Sequence, residues 1–165
     1  MTRWSHLAKR FFTSLSPRPP RASEEAWAEA WLLPAECELW SRLGAADRRH
    51  AIVVARATAD ILGARTDRAV MAAALVHDIG KLESGLGTFG RVAATVALRW
   101  RGRERVPPPS RFGRYARHDE IGAEMLRAAG SDPLTVAWAR EHHLPQGDWT
   151  LPIVVASALK AADDD

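Results

Sequence analysis

The seven residues Val70–Val76 are all apolar. A helix that is apolar all round has to be enclosed by other elements, so whatever fold the chain takes must wrap around this segment. His77 and Asp78 follow it directly, then Ile79, Gly80 and Lys81. Burying an imidazole and a carboxylate side by side is costly if each loses its hydration and gains no partner. A metal ion would offset that loss, provided the rest of the chain supplies further ligands.

At 165 residues the chain is long enough for one domain with a real core. Hydrophobic residues at 47% and charged residues at 26% fit a globular protein. There is no apolar run of the ~20 residues that a bilayer requires, and no secretory-type apolar stretch near the N-terminus, so a cytosolic protein is expected. The single cysteine, Cys37, excludes an internal disulfide and a cysteine-based metal cage, and reads as a buried structural thiol. The net charge of +3 hides an asymmetry: residues 1–22 carry five basic groups and no acid, the remainder 18 basic and 20 acidic. A second basic cluster runs from Arg91 to Arg117, with eight arginines, Glu104 as its one acid, and Trp100, Phe112 and Tyr115 interspersed. It reads as a solvated loop, or more sharply as a surface for phosphates, nucleic acid or anionic lipid.

Residues 1–15 suit a short basic amphipathic helix with Trp4, Leu7, Phe11 and Leu15 on one face, and the prolines of Ser16–Arg21 make a linker. Beyond this tail (1–22), a single helical domain is expected over 23–165. Ser23 is placed to cap a helix over Glu24–Leu33. Pro34 opens another through Leu43, ended by Gly44. A long helix starts near Asp47 and closes at Gly63 after Leu62. Asp67 caps the helix that carries His77 and Asp78 in its last turn, and a further helix spans Phe89–Trp100. Three consecutive prolines make a loop insert at about 99–113. Helices then cover Gly113–Ala129, the stretch opened by Asp132 and Pro133, and Leu151 to the end. Gly85, Gly87 and Gly90 read as turn residues. No alternating strand pattern is present, so the fold class is all-α, a bundle of seven or eight helices.

Apart from His6 in the tail, the histidines lie on four separate helices with apolar neighbours. His50 shares a face with Val53, Val54 and Ala57; His77 with Val70, Ala73 and Ala74; His118 with Ile121, Gly122 and Met125. His142 and His143 end the helix that carries Val136, Trp138 and Ala139. The terminal helix ends in Asp163, Asp164 and Asp165, of which Asp163 is the inward candidate beside Ala156 and Leu159. Mixed His/Asp ligation suits one or two borderline or hard divalent ions such as Fe, Mn, Co, Zn or Mg.

The order His50, His77-Asp78, His118, His142-His143, Asp163 resembles the HD-domain superfamily of metal-dependent phosphohydrolases. The likeness covers roughly Pro34 to Asp165, and its most specific match is the His-Asp-Ile-Gly-Lys run at His77–Lys81. It implies an all-α fold, with His50, His77, Asp78 and Asp163 as ligands of a first metal. The extra histidines, His118, His142 and His143, resemble the two-metal subgroup that includes the HD-GYP cyclic-dinucleotide phosphodiesterases. There Asp78 would bridge the ions and Lys81 would face the substrate phosphate. The chain departs from that subgroup after the double histidine. It has Leu-Pro-Gln-Gly-Asp-Trp where the subgroup has a glutamate and then Gly-Tyr-Pro, and Glu141 precedes the pair instead. That argues against cyclic di-GMP as substrate.

The expected function is metal-dependent hydrolysis of a phosphomonoester or phosphodiester, most generally a nucleotide, by a metal-activated water. Asp78 and Lys81 would be the catalytic pair, with Lys81 on the substrate phosphate. The rivals are a metal-containing module that binds a nucleotide or partner without catalysis, and a diiron oxygenase on the same scaffold. The basic tail suggests weak contact with anionic lipid or nucleic acid. Trp27, Trp31 and Trp40 read as a packing cluster; Trp100 and Trp149 flank the insert and the double histidine, where lining a pocket is the less favoured reading.

Overall fold

The computed structural model describes residues 18–102 and 105–164, with side chains at every position among them except 88, 89, 91, 99 and 101. The tail helix through Trp4, Leu7, Phe11 and Leu15, and Asp165 at the other end, lie outside the described residues. Nine α-helices are present among those described: α1 (Ala22–Glu29), α2 (Pro34–Arg42), α3 (Ala45–Leu62), α4 (Arg68–Val76), α5 (Thr88–Arg101), α6 (Arg111–Ala116), α7 (His118–Ala128), α8 (Pro133–Glu141) and α9 (Ile153–Asp164). Short 3-10 segments join them, among them Gly63–Arg65, Ile79–Ser84 and Gln146–Asp148. No strand occurs among the described residues, so the all-α class holds.

Helix α4 is the axle. All seven of its residues from Val70 to Val76 are buried. Three consecutive alanines, Ala72 to Ala74, let α3 and α8 approach closely on different sides. Helix α9 packs on α3, and α7 packs on α8. Asp67 starts the axle by accepting the Val70 N–H at 2.9 Å, as expected of a side-chain cap. Gly63, with φ 54°, turns the chain out of α3 through a left-handed conformation open to glycine. At the N-terminal end, Glu25 accepts from Trp40 Nε1 and from Arg48 Nε, each at 2.9 Å, tying α1, α2 and α3 together. Trp40 is fully buried there, while Trp27 and Trp31 pack half-buried against the core.

Several boundaries differ from expectation. Ser23 does not cap α1; the helix begins one residue earlier, where Glu24 accepts the Arg21 N–H at 2.9 Å. It also ends at Glu29 rather than Leu33. His77 and Asp78 lie just past the last turn of α4, because the chain leaves helical geometry at Asp78 (φ −94°, ψ 9°) and tightens into the 3-10 segment. The stretch Gly113–Ala129 is two helices, broken at Arg117 (φ −115°, ψ 23°), which accounts for the ninth helix. Gly90 falls inside α5 rather than in a turn. Cys37 is half-buried, its thiol pushed up by burial and by Glu29 and Glu36.

The insert carries more structure than a solvated loop. Pro107–Pro109 are exposed, but Val106 is buried. Ser110 caps α6 by accepting the Gly113 N–H at 2.9 Å. Arg111 and Arg114 donate to the carbonyls of Ser84 and Glu83, at 3.3 and 2.7 Å, and so staple α6 to the 3-10 segment.

Gly80 marks a close approach of two backbones, as does Gly113, where a Cβ would lie 2.0 Å from the Pro107 carbonyl oxygen. A Cβ on Gly80 would lie 1.9 Å from the His118 carbonyl oxygen and 2.6 Å from the Gly122 nitrogen, both main-chain atoms of α7. Gly80→Ala should therefore cost about 3 kcal/mol, against about 1 kcal/mol for loss of the cap in Asp67→Ala. Chemical denaturation would check both, and equal midpoints for the Gly80→Ala and parent chains would disprove the close approach.

Candidate metal centre

Seven side chains from five parts of the fold converge beside the C-terminal end of α4. The end of α4 delivers His77 and Asp78, α3 delivers His50, the start of α7 His118, the end of α8 His142 and His143, and the end of α9 Asp163. Their positions follow from helix ends. The last carbonyls of a helix have no partner within it. His77 Nδ1 lies 2.9 Å from the Ala74 carbonyl oxygen, His142 Nδ1 2.9 Å from that of Ala139, and His118 Nδ1 2.8 Å from that of Tyr115. A carbonyl can only accept, so each Nδ1 carries the hydrogen. Each Nε2 is then left with a lone pair aimed at the centre, the orientation that metal-ligating histidines take.

Asp78 sits between two groups of ligand atoms. His77 Nε2 is 3.6 Å from Asp78 Oδ2 and 3.7 Å from Asp163 Oδ1. His50 Nε2 lies 3.0 Å from Asp163 Oδ1. On the other side, His118 Nε2 is 3.3 Å and His142 Nε2 3.8 Å from Asp78 Oδ1, and His143 Nε2 is 3.1 Å from His118 Nε2. Two sets result, each with ligand atoms within 4.8 Å of one another: His50, His77 and Asp78, and His118, His142 and His143. Each set is compact enough to hold an ion.

The fit to a metal rests on two atoms. His77 Nε2 and His142 Nε2 are buried and have no hydrogen-bond partner. A buried nitrogen lone pair without a donor is costly. Both point towards the carboxylates, where a cation would satisfy them together. Donors of imidazole nitrogen and carboxylate oxygen suit borderline or hard divalent ions.

The charges agree. Burial alone would raise the Asp78 carboxyl, but Lys81, His77 and His118 outweigh it and hold the group well below the carboxylate range. Asp163 is likewise lowered despite its burial, by the His50 hydrogen bond and by His77. Lys81 contacts Asp78 directly; burial would lower it, but Asp78 outweighs this and keeps the ammonium charged. His142 is pushed well below its ordinary value by burial and by the neighbouring histidines. His143 is pushed to about 4 by burial and by His118.

Of the residues singled out in sequence, all seven meet here, and Lys81 borders them. Asp164 does not; it is exposed and pairs with Lys160 at 2.8 Å. Two inward readings need correction. His50 stands at the edge of the centre, its side chain 30% exposed. Its expected inward neighbour Val53 is 63% exposed. His143 is also exposed at the rim. Glu141, noted for preceding the double histidine, turns away to accept from the Thr150 amide and hydroxyl at 2.7 and 2.6 Å, clamping the loop after α8. Trp149 packs against Trp138 and donates to the Leu144 carbonyl. One contributor was missed. Tyr115 stacks on the His118 ring at 5.7 Å and supplies its carbonyl; the three-residue offset it shares with Ala74 and Ala139 was the available signal.

The lowered histidines set an acid limit on the metal-free fold. An unfolded histidine takes a proton near pH ~6.5, whereas folded His143 holds out to about 4. Between those values the unfolded chain binds more protons, so stability falls as pH drops. The depressed Asp78 and Asp163 act in the same direction at lower pH. The denaturation midpoint of metal-stripped protein should therefore fall across that window, and less steeply in His142→Ala.

Among the described residues no helix is long and apolar enough to cross a membrane. No curated protein and no solved structure matches the chain. The model of the HD-domain family matches residues 48–164, a span that takes in His50, Asp163 and every residue of the centre between them. That family consists in general of metal-dependent phosphohydrolases. With its two His/Asp sets around one aspartate and a family match across most of its length, the chain belongs to the HD-domain family.

Proposed function

We propose that the chain hydrolyses a phosphate ester, a nucleotide as the most general choice, at a two-ion centre built around Asp78. The observation that carries this reading is the pair of buried, partnerless Nε2 atoms of His77 and His142 on either side of one carboxylate. His50, His77 and Asp163 would hold one ion and His118, His142 and His143 the other, with Asp78 offering an oxygen to each. Divalent ions there supply Lewis acidity and a water whose pKa is lowered towards ~7.

The chain's own groups do the remainder. Asp78 stays ionised, so both of its oxygens are free to accept. The backbone carbonyls of Ala74, Tyr115 and Ala139 lock three imidazoles in the ligating tautomer. Lys81 remains charged and is partly exposed at the edge of the centre, where its ammonium can meet a phosphoryl oxygen as negative charge builds there. The exposed edges of His50 and His143 leave the centre open to a ligand from solvent.

Elemental analysis of the purified protein should find about two divalent ions per chain, falling to about one in His118→Ala. No metal after reconstitution would refute the reading. Asp78→Asn should lose turnover of phosphate esters, and turnover retained in that variant would exclude the assigned centre. Lys81→Ala should keep most of its metal yet turn over about a hundredfold more slowly. If it changes only metal content, Lys81 holds the centre together rather than serving the phosphate.

A further inference from the structure

Helix α5 does little for the core. Of its described side chains only Ala94 is buried. Val92, Val96 and Trp100 are 39%, 53% and 84% exposed. They follow one another at four-residue steps, which places them on one face along about 12 Å of helix. Single exposed apolar residues are common, but an aligned row ending in a tryptophan open to solvent marks a contact surface.

The surrounding sequence identifies the partner's charge. Eight arginines and one acid lie between Arg91 and Arg117, and residues 1–22 add five basic groups and no acid. Arg111, Arg114 and Arg117 are engaged on backbone carbonyls. Arg91, Arg99, Arg101, Arg103 and Arg105 lie in or next to α5 in sequence and are the basic groups nearest the row. An apolar row with a tryptophan, set in an arginine-rich segment, is the composition of a helix lying flat in a membrane interface. We propose that α5 docks the chain on an anionic lipid surface, with Val92, Val96 and Trp100 entering the headgroup layer and the basic excess meeting lipid phosphates.

Other occupants fit less well. Nucleic acid would meet the arginines and could stack on Trp100, but would leave Val92 and Val96 in water. A second copy would oppose two arginine clusters, and three side chains cover far less than the ~800 Å² per partner of a stable interface. The chain's own first 22 residues carry the same sign of charge as the cluster. The docked face would lie close to the metal centre, since Thr95 Oγ1 on α5 is 3.3 Å from the hydroxyl of Tyr115, whose ring stacks on His118.

The test is co-sedimentation of the full chain with vesicles of phosphatidylcholine alone or mixed with phosphatidylglycerol. Binding to the mixed vesicles only, weakening as salt is raised, is expected. The Val96→Ser/Trp100→Ala double variant should partition at least about tenfold less, with Trp100→Phe close to the parent. Helical content and metal content unchanged from the parent would show that the variant is folded. Absence of binding to mixed vesicles, equal binding by the double variant, or a preference for single-stranded nucleic acid that vesicles cannot compete away would each overturn the proposal.

Discussion

Three hydrogen bonds at helix ends organise the centre. His77, His118 and His142 each donate Nδ1–H to a carbonyl three residues earlier, in the last turn of α4, α6 and α8 respectively. One contact thereby does two things: it engages a backbone acceptor at a helix end, and it removes the tautomer in which Nε2 would carry a hydrogen. Once three imidazoles are set this way, their lone pairs converge, and a centre without a cation carries unmatched acceptors. The helix breaks at Asp78 and Arg117 belong to the same device. Had α4 continued through Asp78, or α6 run unbroken into α7, those carbonyls would have been consumed by backbone N–H groups.

Asp78 is the second constraint. Both of its oxygens face histidine Nε2 atoms, and its charge survives burial chiefly because the Lys81 ammonium stands against it. Lys81 can do so because Gly80 has no side chain. With main-chain atoms of α7 so near the missing Cβ, the 3-10 turn sits flush against α7 and brings Lys81 and Asp78 to the same edge. His77, Asp78, Gly80 and Lys81 are thus one structural unit: two donor residues, a glycine that permits the approach, and a cation that balances the charge.

What could be read from sequence divides along physical lines. Helical periodicity and caps located α2, α3, α4 and α8 closely, because Pro34, Asp67, Asp132 and Pro133 act within one turn of where they stand. The convergence of the seven residues was legible from helix faces and from the family resemblance. The break at Arg117 was not legible, since it is imposed by the fit of α6 against the 3-10 segment through Arg111 and Arg114, contacts across about thirty residues of chain. Nor was the half-exposure of His50, because a face test cannot tell how far α9 reaches over α3. Tyr115 escaped notice because its contribution is a carbonyl, which residue type does not encode.

The arginines of the insert show why charge counting alone misleads. A run of eight arginines suggests one basic surface, yet Arg111, Arg114 and Arg117 are spent on carbonyls of Glu83, Ser84, Pro109 and Gly113. Guanidinium groups suit that task, since one planar fork can reach two acceptors. Arg111 and Arg114 hold α6 against the 3-10 segment, and α6 carries the Tyr115 carbonyl on which His118 depends. The basic segment is thus divided: Arg111 and Arg114 support the candidate centre through α6, whereas on α5 it is Val92, Val96 and Trp100 that stand exposed.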